Sequence, residues 1–155
     1  MSYTARAYYH DGHEDDPVVI ATADDVRALI DTMLEQPLQS STVALYIQER
    51  PQHEIGVADH ELRFGVLAER KLGSINYVNG LEAWYARGVH DGDGPVRYQY
   101  MGNEELFPAD SLVELEVLFA VTTDFLATGA ERRPEGADWA PWPDDPLEED
   151  ADDSF

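Results

Sequence analysis

Tyrosines and a tryptophan stand close to carboxylates between residues 77 and 105, and together they could form a surface that binds another protein. Aromatic side chains supply much of the binding energy of protein interfaces, while the carboxylates around them attract a basic partner and raise the association rate. We therefore predict a binding surface made of Tyr77, Trp84, Tyr85, Asp91, Asp93, Tyr98, Tyr100, Glu104 and Glu105.

The alternative is that about half of these aromatic rings face the core of the domain. Successive residues of a strand point to opposite sides of the sheet. Trp84 and Tyr85 are adjacent and should point to opposite sides, so at most one of them is a core residue on this sheet.

The histidines and paired acids do not form a catalytic motif. His13, His53 and His60 are each followed by glutamate, but none has the second histidine that HExxH requires. The zinc deaminase motif, the glycine-rich phosphate-binding motifs and GxSxG are missing as well. Nothing apolar flanks acid pairs such as Glu104 and Glu105 to raise their pKa. We predict no enzymatic activity and no catalytic, cofactor-binding or metal-binding residue.

Two possible sites are weaker predictions. His10 and His13 could hold a metal at the surface, although exposed loop histidines are the ordinary interpretation. The run from Asp91 to Gly94 resembles the start of a calcium loop, but Pro95 replaces the third ligand and Gly102 stands where the loop needs glutamate. A tight hairpin turn is the better prediction for this run.

Composition restricts the class of protein and of partner. The 155 residues suit one domain, and the absence of cysteine excludes disulfides and thiolate chemistry. The net charge of −22 argues against binding nucleic acid or an anionic membrane and favours a basic partner, although the acidity could serve solubility alone. We expect a cytoplasmic protein with a domain over residues 1–142 and an acidic tail over residues 143–155.

Two helices should position the strands. Thr22 or Asp24 caps the first helix, which runs to Glu35, and Pro37 ends it. The second begins at Asp110 or Ser111, where Ser111 and Glu114 have capping-box spacing, and ends at Gly129. Its reverse side is also apolar, so we expect this helix to be covered on two sides or to offer one face to a partner. That reverse side carries Val113, Val117, Ala120 and Val121.

The remaining segments alternate with period two. YTARAYY, PVVIA, STVALYIQE, HEIGVA and ELRFGVLAE read as strands, with Ala58 to His60 as a turn. GSINYVNG, LEAWYARG and PVRYQYMG then follow as an antiparallel meander bounded by glycines. The prediction is an α+β fold, with a curved, mainly antiparallel sheet of about six strands and two principal helices.

The order of these elements resembles the immunity proteins of bacterial polymorphic toxin systems. The most specific part is the run from Phe125-Leu126 through Thr128-Gly129 to Arg133-Pro134 and Trp139, preceded by Tyr98-x-Tyr100 and Phe107-Pro108. The resemblance covers roughly residues 1–140 and is to the first-numbered family of these proteins, common in actinobacteria. Either Arg132 or Arg133 matches the family arginine.

The resemblance implies a non-catalytic antidote that binds a cognate toxin domain and occludes its active site. Members of this family are often encoded beside deaminase-fold toxins, which implies a basic, nucleic-acid-acting partner and a monomer or a one-to-one heterodimer with the toxin. Two rivals remain. One is a hydrolase or ligand-binding module, with a pocket at His53, His60 or His90 in the concave face of the sheet. The other is an adaptor of the type-seven secretion system.

Overall fold

A long antiparallel sheet carries both helices on one face. The computed structural model describes residues 3–49, 60–80, 82–89 and 94–143. The helices are α1 (Ala23–Met33) and α2 (Leu115–Thr128). The strands are β1 (Ala5–Tyr8), β2 (Val18–Ile20), β3 (Thr42–Ile47), β4 (His60–Leu67), β5 (Leu72–Asn79), β6 (Glu82–Arg87), β7 (Val96–Tyr100), β8 (Asn103–Phe107), β9 (Val113–Glu114) and β10 (Asp138–Pro141).

The main sheet has eight strands in the order β10-β6-β5-β4-β3-β1-β2, with β9 added to β5, and its pairs are antiparallel. The predicted α+β class, with a curved antiparallel sheet and two helices, is confirmed. The sheet has more strands than the six or so predicted, because β9 and β10 come from segments that lack strand periodicity. Within the described residues, neither helix is long and apolar enough to span a membrane.

Helix α1 begins as its sequence predicts. The Thr22 hydroxyl accepts a hydrogen bond from the Asp25 N–H at 3.1 Å, and the Asp25 carboxylate accepts one from the Thr22 N–H at 3.1 Å. This capping box satisfies two of the N–H groups that a helix start leaves without partners. Val26, Leu29, Ile30 and Met33 are buried against the sheet.

The predicted start of α2 at Asp110 or Ser111 is wrong. Glu114 is the N-cap and makes no side-chain cap, while the Ser111 hydroxyl is buried 2.8 Å from that of Ser74. The chain before Glu114 stays extended because its carbonyls accept from another segment: Asp110 from the Gly88 N–H and Leu112 from the Val89 N–H. These long-range hydrogen bonds are formed in place of the local capping box that the sequence predicts. At the other end, Gly129 takes the predicted left-handed conformation with φ 64°.

The described residues cover the reverse side of α2 only in part. Val113 and Val121 are buried, Val117 is half-buried and Ala120 is exposed. Gly136, in the segment after α2, lies so close that a Cβ built on it would be 3.2 Å from the Cβ of Ala120. Cover on two sides, the first of the predicted alternatives, therefore applies to part of this side.

The predicted meander breaks between β6 and β7. The free edge of β6 pairs with β10, in the register Trp139 to Ala86 and Ala140 to Tyr85, so β7 cannot add there. Instead β7 and β8 form a separate two-stranded hairpin, which packs on the face of the main sheet opposite the helices. The HEIGVA strand, the turn from Ala58 to His60 apart from His60 itself, the Asp91 to Asp93 turn residues and residues 144–155 lie outside the described part.

Candidate functional site

Within the described part of the chain, the sheet face that points away from the helices is covered over about half of its length. Tyr98 of the hairpin lies on Gly65 of β4, where an added Cβ would be 2.5 Å from the ring. Its hydroxyl lies 2.7 Å from the Ser74 Oγ of β5. The Ser41 hydroxyl accepts from the Gln99 N–H at 2.9 Å and ties the hairpin to the start of β3. These contacts place the hairpin over one half of the face.

Over the other half the described residues place no covering element, and we call this half the open face. On β4, Leu62 and Phe64 are fully buried toward the helices, while Glu61 and Arg63, which alternate with them, are half-buried on the opposite side. The strand registers place the same alternation on the neighbouring strands. The open face carries Arg6, Tyr8, Tyr46, Glu61, Arg63, Asn76 and Val78.

Arg63 is the centre of a polar cluster on the open face. Its guanidinium donates to the Glu61 carboxylate at 3.0 Å and forms a second ion pair with Glu105, which reaches down from β8. The Tyr46 hydroxyl donates to Glu61, and the guanidinium lies 4.4 Å from the ring centroid of Tyr100. Side chains from β3, β4, β7 and β8 thus form one cluster around the Arg63 guanidinium. The cluster comprises Tyr46, Glu61, Arg63, Tyr100 and Glu105.

Burial and charge set the protonation of this cluster. Burial raises the pKa of the Tyr46 hydroxyl, and the neighbouring Glu61 carboxylate raises it further. Burial by itself lowers the pKa of Arg63, but Glu61 and Glu105 outweigh it, so the net shift is upward. Burial also raises the pKa of Tyr100. At neutral pH the tyrosines therefore stay neutral and the arginine stays charged. With two carboxylates and one guanidinium, the cluster carries one negative charge in excess.

Three of the nine predicted binding residues are core residues. Tyr77 is 0% exposed, Tyr98 is 1% exposed and Tyr85 is nearly buried. Tyr77 packs against Phe125 of α2, while Tyr85 packs on the other face and donates to the Asp110 carboxylate at 2.7 Å. Burial, with this hydrogen bond second, raises the pKa of Tyr85 to about 12. The alternative that about half of the aromatics face the core thus fits, and these three rings are not on the surface.

Trp84 and Tyr85 point to opposite faces, as alternation predicts. Trp84 is half-buried and stacks on Tyr77 with a centroid distance of 5.8 Å, on the helix side. Beside it, a cleft of about 540 Å³ is lined by Arg133 and Trp139 among others. The Arg133 guanidinium lies 5.2 Å from the Trp84 ring centroid, whereas Arg132 is paired with Asp124 at 2.9 Å.

Of the remaining predicted residues, Tyr100 and Glu105 join the cluster at Arg63. Glu104 points to the other side of the hairpin, where it pairs with Arg97 at 2.7 Å in solvent. Asp91 and Asp93 lie outside the described residues. The structure therefore brings two of the nine residues together at one site, and it separates Glu104 from Glu105.

Sequence reasoning missed Tyr46, Glu61 and Arg63. Their signal was present, because Glu61 and Arg63 alternate with Leu62 and Phe64, which places them on the side away from the core. What the sequence lacks is the register that sets Tyr46 beside Glu61 and the position of the hairpin that brings Glu105 over Arg63.

The histidines that the structure describes, His10, His13 and His60, accept backbone hydrogen bonds. The His60 Nε2 is buried and accepts from the Ile47 N–H at 2.7 Å, and its ring lies near Phe125 on the helix side, not on the open face. His10 and His13 each accept a backbone N–H bond at Nδ1, from Gly12 and Tyr9. No group of three or more metal-ligating side chains occurs within the described ranges. His53 and His90 lie outside them.

Comparison with models of protein families gives a match over most of the chain. A family model described as immunity protein Imm1 matches residues 14–141, which reach from the loop after β1 to the end of β10. No curated protein matches the chain. The matched range includes β4, the hairpin and the run from α2 to Trp139.

Proposed function

This chain belongs to the Imm1 immunity protein family, and we propose that it protects the cell that makes it by occluding a toxin domain that acts on nucleic acid, in particular a deaminase. The observation that carries this proposal is the family match over residues 14–141, which makes the chain an immunity protein and implies a cognate toxin as its partner. We infer the toxin's activity from the charge of the chain and from the deaminase-fold toxins beside which members of this family are often encoded.

The charge of the chain supports a partner that binds nucleic acid. An enzyme that modifies DNA or RNA must hold a polyanion, and it does so with arginine and lysine side chains along a groove. A protein with a net charge of −22 is attracted to such a groove and can compete for it. The same charge repels DNA, RNA and anionic membranes, so we infer that the toxin is the partner and none of these is.

We propose a one-to-one complex formed in the cytoplasm, where such a toxin would meet its substrate. Inhibition would need no reaction by the immunity protein, because covering the groove is sufficient. The histidines that the structure describes each accept a backbone hydrogen bond at one ring nitrogen, and His10 also lines a pocket of about 220 Å³.

The test is co-expression with the toxin domain encoded by the neighbouring gene. We expect growth to be rescued, a stable one-to-one complex in size-exclusion chromatography with light scattering, and loss of base deamination when the purified proteins are mixed. Failure of the pair to bind or to rescue growth would refute the immunity proposal for this pair. A complex whose toxin proves to be a nuclease would keep the immunity role and refute the deaminase assignment.

A further inference from the structure

We propose that the toxin adds a strand to the free edge of β2, with an apolar side chain beside Val19 and lysine or arginine side chains at the two ends of the edge. This inference rests on the proposed function and adds to it the contacting edge and the chemistry of the strand that binds there. It differs from the sequence prediction, which placed the binding surface between residues 77 and 105.

The free edge of β2 is set by the hydrogen bonds of its neighbour β1. β2 is the last strand of the main sheet, and it pairs with β1 alone. The Gln48 N–H donates to the Thr4 carbonyl at 2.8 Å, which makes these two residues a hydrogen-bonded pair of the ladder between β1 and β3. Such pairs alternate along an antiparallel ladder, so Arg6 also bonds toward β3. Val19, which pairs with Arg6, therefore directs its N–H and its carbonyl away from β1.

Val19 is the position at which this edge can bond to another strand. Two residues to either side, Pro17 has no N–H and the Ala21 N–H donates to the Asp25 carboxylate at 2.9 Å. The Val19 side chain is 54% exposed on the face opposite the helices. A strand that adds here exchanges two backbone hydrogen bonds with Val19 and covers its side chain, which favours an apolar neighbour. Arg6 lies next to Val19 on the same face and disfavours a cation at that position.

Exposed carboxylates lie at both ends of this edge. Asp15 and Asp16 precede β2, and Asp24 follows it in the first turn of α1. Within the described ranges, none of the three forms an ion pair with arginine or lysine. No lysine or arginine occurs in the sequence between residues 7 and 26. Cationic side chains at the ends of an added strand can pair with these carboxylates, and a strand of a basic toxin carries the matching charge.

Other free edges in the described part of the chain match such a strand less well. β10 contains Pro141, which has no N–H, and its Asp138 pairs with Arg87 at 3.4 Å. Both glutamates of β8 also pair with arginines, one on β7 and the other on β4. The carboxylates without an arginine partner therefore favour β2 over these two edges for a basic strand.

A second copy of this chain is a poor match for the same edge. Two β2 strands related by a twofold axis would pair in antiparallel fashion around Val19. Asp15 and Asp16 of one copy would then lie near Asp24 of the other, and like charges across a strand pair are destabilising. The edge therefore suits a strand of a different, basic protein.

Amide hydrogen exchange tests the edge directly. We expect exchange of the Val19 N–H to slow by about a hundredfold or more when the toxin domain binds, because this N–H becomes bonded to the added strand. The Trp139 N–H is the control and should exchange at an unchanged rate. It points to the free edge of β10, since the Trp142 N–H bonds to the Ala83 carbonyl of β6 and alternate residues bond to the same side. NMR spectra of the labelled protein with and without toxin measure both rates.

Two variants of Val19 separate its backbone from its side chain. Val19→Pro removes the outward N–H and leaves the hydrogen bonds to β1 in place, whereas Val19→Thr keeps both the N–H and the branched shape. We expect Val19→Pro to weaken toxin binding by about tenfold or more and Val19→Thr by less than about threefold. Urea denaturation checks that both variants are folded. If Val19→Pro does not fold, hydrogen exchange of the wild-type protein decides the matter.

A charge-matched pair of double variants tests the ends of the edge. Asp16→Asn with Asp24→Asn removes one exposed carboxylate from each end. Asp31→Asn with Glu35→Gln removes two exposed carboxylates near the far end of α1, with the same change in net charge. We expect the first pair to weaken binding by about fivefold or more and the second by less than about twofold, by surface plasmon resonance against the immobilised toxin domain. Equal effects would overturn the assignment of cationic ends to the strand.

The outcomes separate this inference from the proposed function. A wild-type protein that neither binds nor neutralises the toxin refutes the proposed function. If wild type binds but exchange at Val19 is unchanged and Val19→Pro behaves like Val19→Thr, the β2 edge is wrong while the immunity role stands. Slower exchange at Trp139 instead would move the interface to β10. A dimer of the chain alone that protects the Val19 N–H would assign the edge to a second copy and overturn the proposal.

Discussion

Glu104 and Glu105 are neighbours in β8, yet they have different environments because successive strand residues point to opposite sides of the hairpin. Glu104 pairs with Arg97 in solvent, where an ion pair contributes little to stability. Glu105 reaches Arg63 in a half-buried cluster. The residue types are identical, and the direction of the side chain decides which one joins the cluster at Arg63.

Thr22 provides a test of the capping box at the start of α1. Thr22→Ala removes the hydroxyl that accepts from the Asp25 N–H, and we expect the free energy of unfolding to fall by about 1 kcal/mol. Thr32→Ala, near the end of the same helix, is the matched control and should cost less, since no helix N–H depends on its side chain. Urea denaturation measures both, and equal losses would contradict the cap.

His13 should make stability depend on pH. Burial lowers the pKa of His13 below 6.5, the nearby His10 lowers it further, and Asp16 opposes both. The unfolded chain then binds more protons than the folded one, so the free energy of unfolding falls as the pH drops through about 6.5 toward the folded pKa. In a comparison of unfolding between about pH 8 and about pH 5, His13→Gln should lose less stability than wild type. An identical pH dependence would contradict this.

The hairpin formed by β7 and β8 shows that a strand with clear periodicity can still be assigned to the wrong neighbour. The alternation in PVRYQYMG predicts β7 correctly, but β10 takes the edge of β6 that β7 would have joined. The strand then finds its place through Tyr98, which packs on Gly65 and hydrogen-bonds to Ser74. Packing between elements, not local pattern, determines this part of the fold.

Gly65→Ala tests the contact between Tyr98 and Gly65 that positions the hairpin on the sheet. The added methyl would come within 2.5 Å of the Tyr98 ring, so the hairpin must shift, and we expect a loss of about 1 to 3 kcal/mol in unfolding free energy. Gly94→Ala is the control, because nothing lies within 4 Å of a Cβ at that position. Urea denaturation compares the two. Equal stability would show that the hairpin does not depend on this contact.

Trp139 tests whether the segment after α2 supports the sheet or binds the partner. Its indole donates to the Pro134 carbonyl at 2.7 Å, and its ring lies 6.1 Å from that of Tyr77. Trp139→Ala should lower the unfolding free energy by about 2 to 3 kcal/mol, less than for a fully buried tryptophan, since the ring is half-exposed. Toxin affinity per folded molecule should change little. A larger effect on affinity than on stability would place the interface on this segment.

At the scale of the whole molecule, the net charge of −22 acts over distances longer than any single contact. Exposed charges attract a basic partner before contact, and dissolved salt screens that attraction over about 10 Å at about 0.1 M. The half-buried cluster at Arg63 is screened less, because it contacts little solvent. We therefore expect the overall charge to act mainly on the rate of encounter with a basic partner.

Salt should therefore separate the two rates of toxin binding. Between about 50 mM and about 500 mM salt we expect the association rate to fall about tenfold or more and the dissociation rate to change by less than about threefold. Stopped-flow fluorescence gives the first rate and surface plasmon resonance the second. Equal changes in both rates would contradict steering by the overall charge.

The sequence by itself determined the features that depend on local pattern and composition. These are a cap for α1 at Thr22 or Asp24, the left-handed stop at Gly129, the strand periodicity of β3 and β4, the α+β class and the acidity. The run from Phe125 to Trp139 also carried the resemblance to an immunity protein family, which the family match confirms. Each of these depends on residues within a few positions of one another or on a sum over the chain.

Only the tertiary structure decided which side chains meet. Carbonyls of residues 110 and 112 accept from residues 88 and 89 and keep the chain before α2 extended, although Ser111 and Glu114 have the spacing of a cap. The register of β3 on β4 places Tyr46 beside Glu61 and Arg63. The packing of Tyr98 on Gly65 positions the hairpin so that Glu105 reaches Arg63. Such contacts join residues far apart in sequence, and their free energies are set by packing and hydrogen bonding that no local pattern encodes.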